Sequence, residues 1–444
     1  MSEVQMKYFI IGLVICFGIL LSTGCKRPDL NVDVINPEQL EIEFWYGLTG
    51  VQGEAMEAFI AEYNTTQKTH IIKGVSFDSY DVTAKALEAA LARGKGPGVV
   101  LLEDYQMYSF AKKGGLRSLD SFIDQRPNFD LKDIYPKFLA QVTIDDKIFG
   151  LPIYGTTQIL YYRKDLFKQA GLSEADLMTW ESLADAAKRL TVTGQDEILV
   201  YGWEPMQGRE NLIDATINRG GRILSEDGTK VLINEEPWIY TWEQFRKWIH
   251  DEQIMKVHYG GEGWQYWYAT IDDVLQGRAA GYTGSAGDAR ELDFNIIGAQ
   301  MQPYWEGFES QPVGVHNAHT ICIPTFTKDE IAMAAFEWIE YFTSKEMTGK
   351  WSMETGYLPI RMSVIENSDF RSYMEKNEHL KVAMDQMKKT TSITYDPTGG
   401  SIYEALRIAA EKVEILNIPT QIALDEAQDV AQQALDEYLI RGAQ

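Results

Sequence analysis

Residues 98–105, Gly98-Val99-Val100-Leu101-Leu102-Glu103-Asp104-Tyr105, decide how the chain is read. Five residues without a polar side chain stop at two acids and a tyrosine. A short apolar run of this kind suits a strand buried on both faces, as in a parallel or mixed sheet. Ligands of open α/β sheets bind beyond the carboxyl ends of strands, so the acidic end is a candidate site. Toward the N-terminus, Glu41-Ile42-Glu43-Phe44-Trp45 alternates with period two, and Met56, Phe59, Ile60 and Tyr63 recur at helical spacing. Ile71–Val75 then reads as strand, Val82–Leu91 as helix and, beyond the apolar run, Gln106–Lys113 as helix. Strands alternating with helices give an α/β fold.

A second α/β block follows Gly150-Leu151-Pro152-Ile153-Tyr154, with a strand at Ile159–Tyr162 and a helix at Trp180–Leu190. An aromatic stretch between residues 202 and 287 includes Trp203, Trp238, Trp242, Trp264, Tyr266, Trp267 and Tyr268. Val313–Ile323 returns to strand character, and Ile331, Ala335, Trp338, Ile339 and Phe342 mark one face of a long helix. The tail from Ser401 is helical, with Ala427, Val430, Ala434 and Tyr438 expected on its apolar face. There is no internal repeat.

The 444 residues hold 41 Lys+Arg against 65 Asp+Glu, a formal charge of -24. Such a chain lacks the basic patch that a phosphate backbone requires, which excludes nucleic acid as partner. At 45% hydrophobic and 24% charged residues the composition is globular, and the length suits two lobes of ~150 to 200 residues each. The 11 Trp, 23 Tyr and 18 Phe exceed what a core of this size needs, and flat aromatic faces are what sugar rings stack on.

Tyr8–Leu21 is a 14-residue apolar run behind Lys7, shorter than the ~20 residues that span a bilayer. It reads as a signal-peptide core ending at Leu21-Ser22-Thr23-Gly24-Cys25, the pattern at which bacterial lipoproteins are cleaved and acylated. Cys25 is thus the expected lipidation site, residues 1–25 the signal and residues 26–38 a tether, in an exported, membrane-anchored protein. With Cys16 removed and Cys25 acylated, only Cys322 remains, in an apolar strand, so no internal disulfide is expected.

Phosphate-loop, His-Glu-x-x-His, Cys-x-x-Cys and Gly-x-Ser-x-Gly motifs are absent. His316 and His319 stand three apart on a strand and face opposite sides, so no metal is expected. Gly284-Ser285-Ala286-Gly287 reads as a tight turn, and Asp272-Asp273 as acids at a helix start that offset its dipole.

Four segments in order carry a family resemblance: Phe44-Trp45-Tyr46-Gly47-Leu48-Thr49-Gly50, Leu160-Tyr161-Tyr162-Arg163-Lys164-Asp165-Leu166-Phe167, Thr179-Trp180-Glu181-Ser182-Leu183, and Thr355-Gly356-Tyr357-Leu358-Pro359-Ile360. Together they resemble the bacterial extracellular solute-binding proteins of sugar-type ABC importers, especially the glycerol-3-phosphate-binding branch. The resemblance implies a two-lobed clamshell of periplasmic-binding-protein type II, with a mixed sheet flanked by helices in each lobe. It places residues 39–153 and 313–370 in the N-lobe and residues 154–312 and 371–444 in the C-lobe. A ligand cleft lies between lobes that close by a hinge.

By the same resemblance Trp45, Tyr46 and Thr49 lie where the N-lobe touches ligand, and Asp104 matches a carboxylate accepting from ligand hydroxyls. Gly155 and Thr156 stand at the first hinge crossing, Trp203 matches a cleft tryptophan, Ser285 a serine of the second lobe, Asn317 a crossover position, and Tyr357 belongs to the last segment. One departure matters: where the glycerol-3-phosphate branch places an Arg for the phosphate, this chain has Tyr403, with Arg407 one helical turn on. An aromatic face stacks on a sugar ring, whereas Arg pairs bidentately with phosphate. The expectation is therefore a monomeric receptor without cofactor or enzymatic activity. It captures a neutral mono- or oligosaccharide, stacked on Tyr403, Trp203 and Trp264 or Trp267, for a membrane permease. A glycerol-3-phosphate or glycerophosphodiester receptor and an exported carbohydrate-active enzyme are the alternatives.

Overall fold

The computed structural model describes residues 39–261 and 263–442. The signal segment, Cys25 and the 26–38 tether lie outside the described residues. Parallel pairing sets the first lobe: β1 (Leu40–Tyr46) lies beside β2 (His70–Ser76) in register from Leu40↔His70 to Tyr46↔Ser76, and beside β3 (Val99–Glu103) at Phe44 and Trp45. Parallel neighbours need a crossover, supplied here by helices Gly50–Thr66 and Tyr80–Arg93. Ser79 starts the second of these by accepting from the Val82 N–H, and Gly94, at φ 65°, ends it in the left-handed conformation. The apolar run of β3 gives way directly to helix Asp104–Lys112, with Glu103 and Gln106 forming a capping box.

After a small hairpin, β4 (Thr143–Ile144) and β5 (Lys147–Ile148), the chain runs along β6 (Leu151–Thr156) and passes through Thr157 alone into β7 (Gln158–Arg163). Strand β7 belongs to the second sheet. A second hairpin, β8 (Val192–Thr193) and β9 (Ile198–Val200), precedes β10 (Glu204–Pro205), β11 (Gly281–Ser285) and β12 (Ile297–Gln300). The second sheet is ordered β10-β11-β7-β12, with β7 antiparallel to both neighbours. The chain then returns as β13 (Val315–Cys322), antiparallel to β3 and to β6, and β14 (Thr391–Ser392) adds to its start. Each sheet carries its own apolar cluster, one around Phe44, Leu101, Trp338 and Trp351, the other around Trp180, Trp238, Trp242 and Trp305. Cys322 is buried in the first, which pushes its thiol up to about 12. No helix among the described residues is long and apolar enough to cross a membrane.

Two expectations are corrected. On helix Thr420–Gly442 the buried face is Leu424, Ala427, Ala431 and Leu435, while Val430 and Tyr438 are exposed. Both stripes have helical spacing, and the one with two leucines buries more apolar area. Asp272 and Asp273 lie in the last turn of helix Gln265–Leu275, not its first. A carboxylate there opposes the helix dipole, and Arg278, Lys256 and His258 compensate.

Gly155 is a packing residue rather than a ligand contact. Its N–H donates to Leu358 O at 2.9 Å and its carbonyl accepts from Leu358 N at 2.8 Å, and a Cβ would fall 2.1 Å from Cζ of Phe138. Gly155→Ala is expected to destabilise the fold by about 1–3 kcal/mol through overpacking, read as a lower midpoint in thermal unfolding.

Candidate functional site

The carboxyl ends of β3 and β6 and the first half of β13 meet at one edge of the first sheet, facing the second. A cavity of about 330 Å³ opens there. Its first-lobe wall comprises Thr49 and Gln52, Tyr80 and Asp81 at a helix start, Glu103 and Tyr105 at the end of β3, and Asn317 and His319 on β13. The second lobe contributes Met206 to Asn211, leading into helix Arg209–Asn218, together with Trp264, Tyr266, Trp267, Tyr268, Asp288 and Glu291. Thr156, Gln158 and Ser285 line it where the lobes join, and Tyr357 and Arg407 complete it.

Hydrogen bonds fix much of this wall. Thr156 Oγ1 and Ser285 Oγ stand 2.8 Å apart, and Gln52 Nε2 donates to Gly287 O at 3.0 Å. Trp267 Nε1 donates to Asp288 Oδ1 at 2.9 Å and Tyr282 OH to Asp288 Oδ2 at 3.2 Å. Tyr357 stacks on Tyr154, centroids 4.4 Å apart, and Tyr154 on His319 at 4.8 Å.

A smaller cavity of about 40 Å³ adjoins, lined by Asp104, Tyr105, Arg209, Ile213, Asn317 and Tyr403 among others. The Arg209 guanidinium lies 5.3 Å from the ring centroids of both Tyr105 and Tyr403. Its Nη1 donates to Tyr403 O at 3.0 Å, and its Nε pairs with Glu210 Oε1 at 3.1 Å. Asp104 is 1% exposed, and its Oδ2 has no hydrogen-bond partner.

Of the residues named from sequence, Thr49, Thr156, Trp264, Trp267, Ser285, Asn317 and Tyr357 line the main cavity. Asp104 and Tyr403 lie behind it in the smaller one, where the Tyr403 ring is covered by protein and presents no stacking face. Tyr46 and Trp203 are core residues: the Tyr46 hydroxyl donates to Glu57, and Trp203 Nε1 to Thr283 Oγ1 at 3.0 Å. Trp45 shares the outer face of β1 with Glu43, to which its Nε1 donates at 2.9 Å, and packs edge-on against Phe77. Glu103 belongs to the acidic strand end taken from sequence as a candidate site, while Tyr80, Tyr266, Tyr268, Asp288 and His319 were not assigned to ligand. Trp264, Trp267, Tyr268 and Ile271 stand at helical spacing on one face, a signal present in the sequence.

Burial dominates the electrostatics. It raises Glu103 to about 8, with the negative charges of Asp81 and Glu210 adding to it, and raises Asp288 to about 8. Burial likewise lowers His319 to about 3, which keeps it neutral. His316 bonds to Thr390 Oγ1 at 2.9 Å. Glu204, His258 and Asp273 converge closely enough to hold a metal ion, but Lys256 Nζ already stands 2.6 Å from Asp273 and 3.4 Å from Glu204.

The family model for bacterial extracellular solute-binding proteins matches residues 58–381. The chain belongs to that family. The solute-binding protein is 23% identical over 423 residues to the sn-glycerol-3-phosphate-binding periplasmic protein UgpB of Yersinia pestis, covering 90% of this chain and 91% of the relative. Its fold matches UgpB of Mycobacterium tuberculosis in complex with glycerophosphocholine, with TM-score 0.79, 22% identity, and coverage of 90% of this chain and 99% of that one. It also matches an ABC transporter solute-binding protein of Thermotoga lettingae bound with alpha-D-tagatose, with TM-score 0.77, 19% identity, and coverage of 89% and 100%. The solute-binding protein is thus an exported, two-domain α/β receptor of the ABC-importer class.

Carboxyls whose folded pKa is raised hold protons that the unfolded chain has released, so they lose stability as pH rises from about 4 through their folded values and add nothing further above. Unfolded-state histidines, with a pKa of about 6.5, are mostly neutral by pH 7 and contribute little to the change above it. Between pH 7 and 9 the unfolding midpoint of the ligand-free solute-binding protein is therefore expected to fall, and to fall less in Asp288→Asn, as thermal melts across that range will read.

Proposed function

We propose that the cleft captures a carbohydrate lacking phosphate and delivers it to a membrane permease without transforming it. The observation that carries this reading is the cleft wall: aromatic rings from one helix face, acids that accept from hydroxyls, and two bases already engaged. Arg209 pairs with Glu210, and Arg407 is gripped by Glu404, at 2.9 and 2.8 Å, and by Glu411. Arg pairs bidentately with phosphate only when its fork is free of other carboxylates. A carboxylate suits polyols because its charge-assisted bonds to hydroxyls are strong. In this reading Trp267 and Trp264 supply the stacking faces, and Glu103, with Asp288, accepts from hydroxyls. Bonds that the ligand makes to both lobes only in the closed form drive closure. We further propose that Cys25 anchors the mature chain to lipid and that it works as a monomer.

The second reading, a glycerophosphodiester receptor, is favoured by the relatives' ligands and by Arg209, which borders both cavities. Thermal melts against neutral sugars and glycerol phosphates separate the two. A ligand at a hundredfold its Kd stabilises the fold by about 2.7 kcal/mol, and the shift is expected with sugars. Trp267→Ala is expected to cost about 1 kcal/mol or more of that binding, and Arg407→Ala to leave it within about twofold. A shift with glycerol phosphates alone, lost in Arg209→Ala, reverses the assignment. Labelled oligosaccharide returned unchanged after incubation checks the absence of catalysis.

A further inference from the structure

Two buried acceptors at the cleft wall lack a donor. Asn211 is 2% exposed and His319 6% exposed; both border the main cavity, and Asn211 Oδ1 and His319 Nδ1 have no hydrogen-bond partner. The Asn211 amide is oriented by Nδ2 donating to Met206 O at 2.7 Å, so its oxygen is the atom left over. His319 is neutral, and Nδ1 accepts when the proton is on Nε2. His319 stands opposite Glu103 across the β13–β3 ladder. Asp81, of the same lobe, and Glu210, across the cleft on helix Arg209–Asn218, both add negative potential at Glu103. The two bases of the cleft do not answer these three acids: Arg209 is held by Glu210 and the carbonyl of Tyr403, and Arg407 by Glu404 and Glu411, while among the described residues Asp81 accepts only from the neutral Tyr105 hydroxyl at 3.2 Å and Gln106 amide at 3.1 Å.

A hydroxyl brings one donor and remains an acceptor, while an ammonium brings three donors, accepts nothing and carries the compensating charge. The ring of Tyr266 at this end of the cleft also attracts a cation through its face, whereas Tyr105 already carries the Arg209 guanidinium. We propose that the saccharide captured here carries a protonated primary or secondary amine, seated among Glu103, Asp81 and His319. This rests on the carbohydrate reading and narrows it. Glu103 is held near neutrality by burial and by the charges of Asp81 and Glu210, and a bound ammonium lets it ionise, so that one cation pairs with acids of both lobes. A quaternary ammonium has the charge but no N–H, so it leaves Asn211 and His319 unpaired.

The test is calorimetric titration of the full chain with glucosamine and its β-1,4-linked di- to tetrasaccharides. Each is set beside the glucose-based and N-acetylated sugar of the same length, with glycerol 3-phosphate and glycerophosphocholine as further arms. The expected result is that the amine form binds at least tenfold tighter than its hydroxyl counterpart. That preference should shrink to within about threefold in Glu103→Gln and in Asp81→Asn, the second at an exposed position whose folding is checked by its thermal midpoint without sugar. Equal or tighter binding of the hydroxyl or N-acetyl forms overturns the amine and keeps the carbohydrate reading. Binding of the glycerol phosphates with none of the sugars overturns both. Failure of every glucosamine probe to bind while another sugar does also overturns the amine.

Discussion

Everything around the cleft depends on β13 being hydrogen-bonded along both edges by strands that run against it. Because β3 and β6 are both antiparallel to it, their carboxyl ends arrive at the same end of β13, with Glu103 opposite His319 and Thr156 opposite Asn317. One ladder thus gathers an acid, an imidazole, an amide and a hydroxyl drawn from three stretches of sequence between residues 103 and 319. Side chains of a strand alternate between faces, so a slip of one residue in either pairing would turn these groups into the core. The single-residue passage through Thr157 carries the same constraint into the second lobe. Its hydroxyl donates to Val315 O at 3.0 Å and accepts from Gln386 Nε2 at 2.8 Å, tying the crossing to the strand that organises the site.

The fold was legible because its signals are local. An apolar run ending in acids, period-two strands and helical stripes each report on their own segment, and each became the element expected. Site residues depend on facing, which local pattern specifies poorly. Tyr46 shares the inward face of β1 with Phe44, so the residue chosen for a ligand contact packs in the core. Asp104 was chosen at the end of β3, yet one position earlier Glu103 lines the main cavity while Asp104 turns behind it. The tryptophans misled for a related reason: Trp180, Trp203, Trp238, Trp242, Trp305, Trp338 and Trp351 are all fully buried, so most of the indole excess belongs to the cores. Tyrosines, whose hydroxyls tolerate a wet wall, do more of the lining.

Acidity on two scales has different consequences. The net charge of -24 belongs to the surface and governs how ligands approach. The acids at the end of β3 and in the 286–291 turn belong to the cleft, where desolvation holds Glu103 and Asp288 near neutrality without ligand. A polyol meets them as acceptors whose strength grows when they ionise, so ligand chemistry and carboxyl protonation are coupled in the same few residues.

Cys322 lies at 0% exposure inside the β13 core, with a thiol far from ionisation at neutral pH. It is the one cysteine among the described residues, and a buried thiol of that kind is inert to alkylating dyes. The folded body is therefore a silent background for site-directed labelling. A single cysteine introduced on the rim of the cleft would take a fluorophore without competition and convert lobe closure into an optical signal.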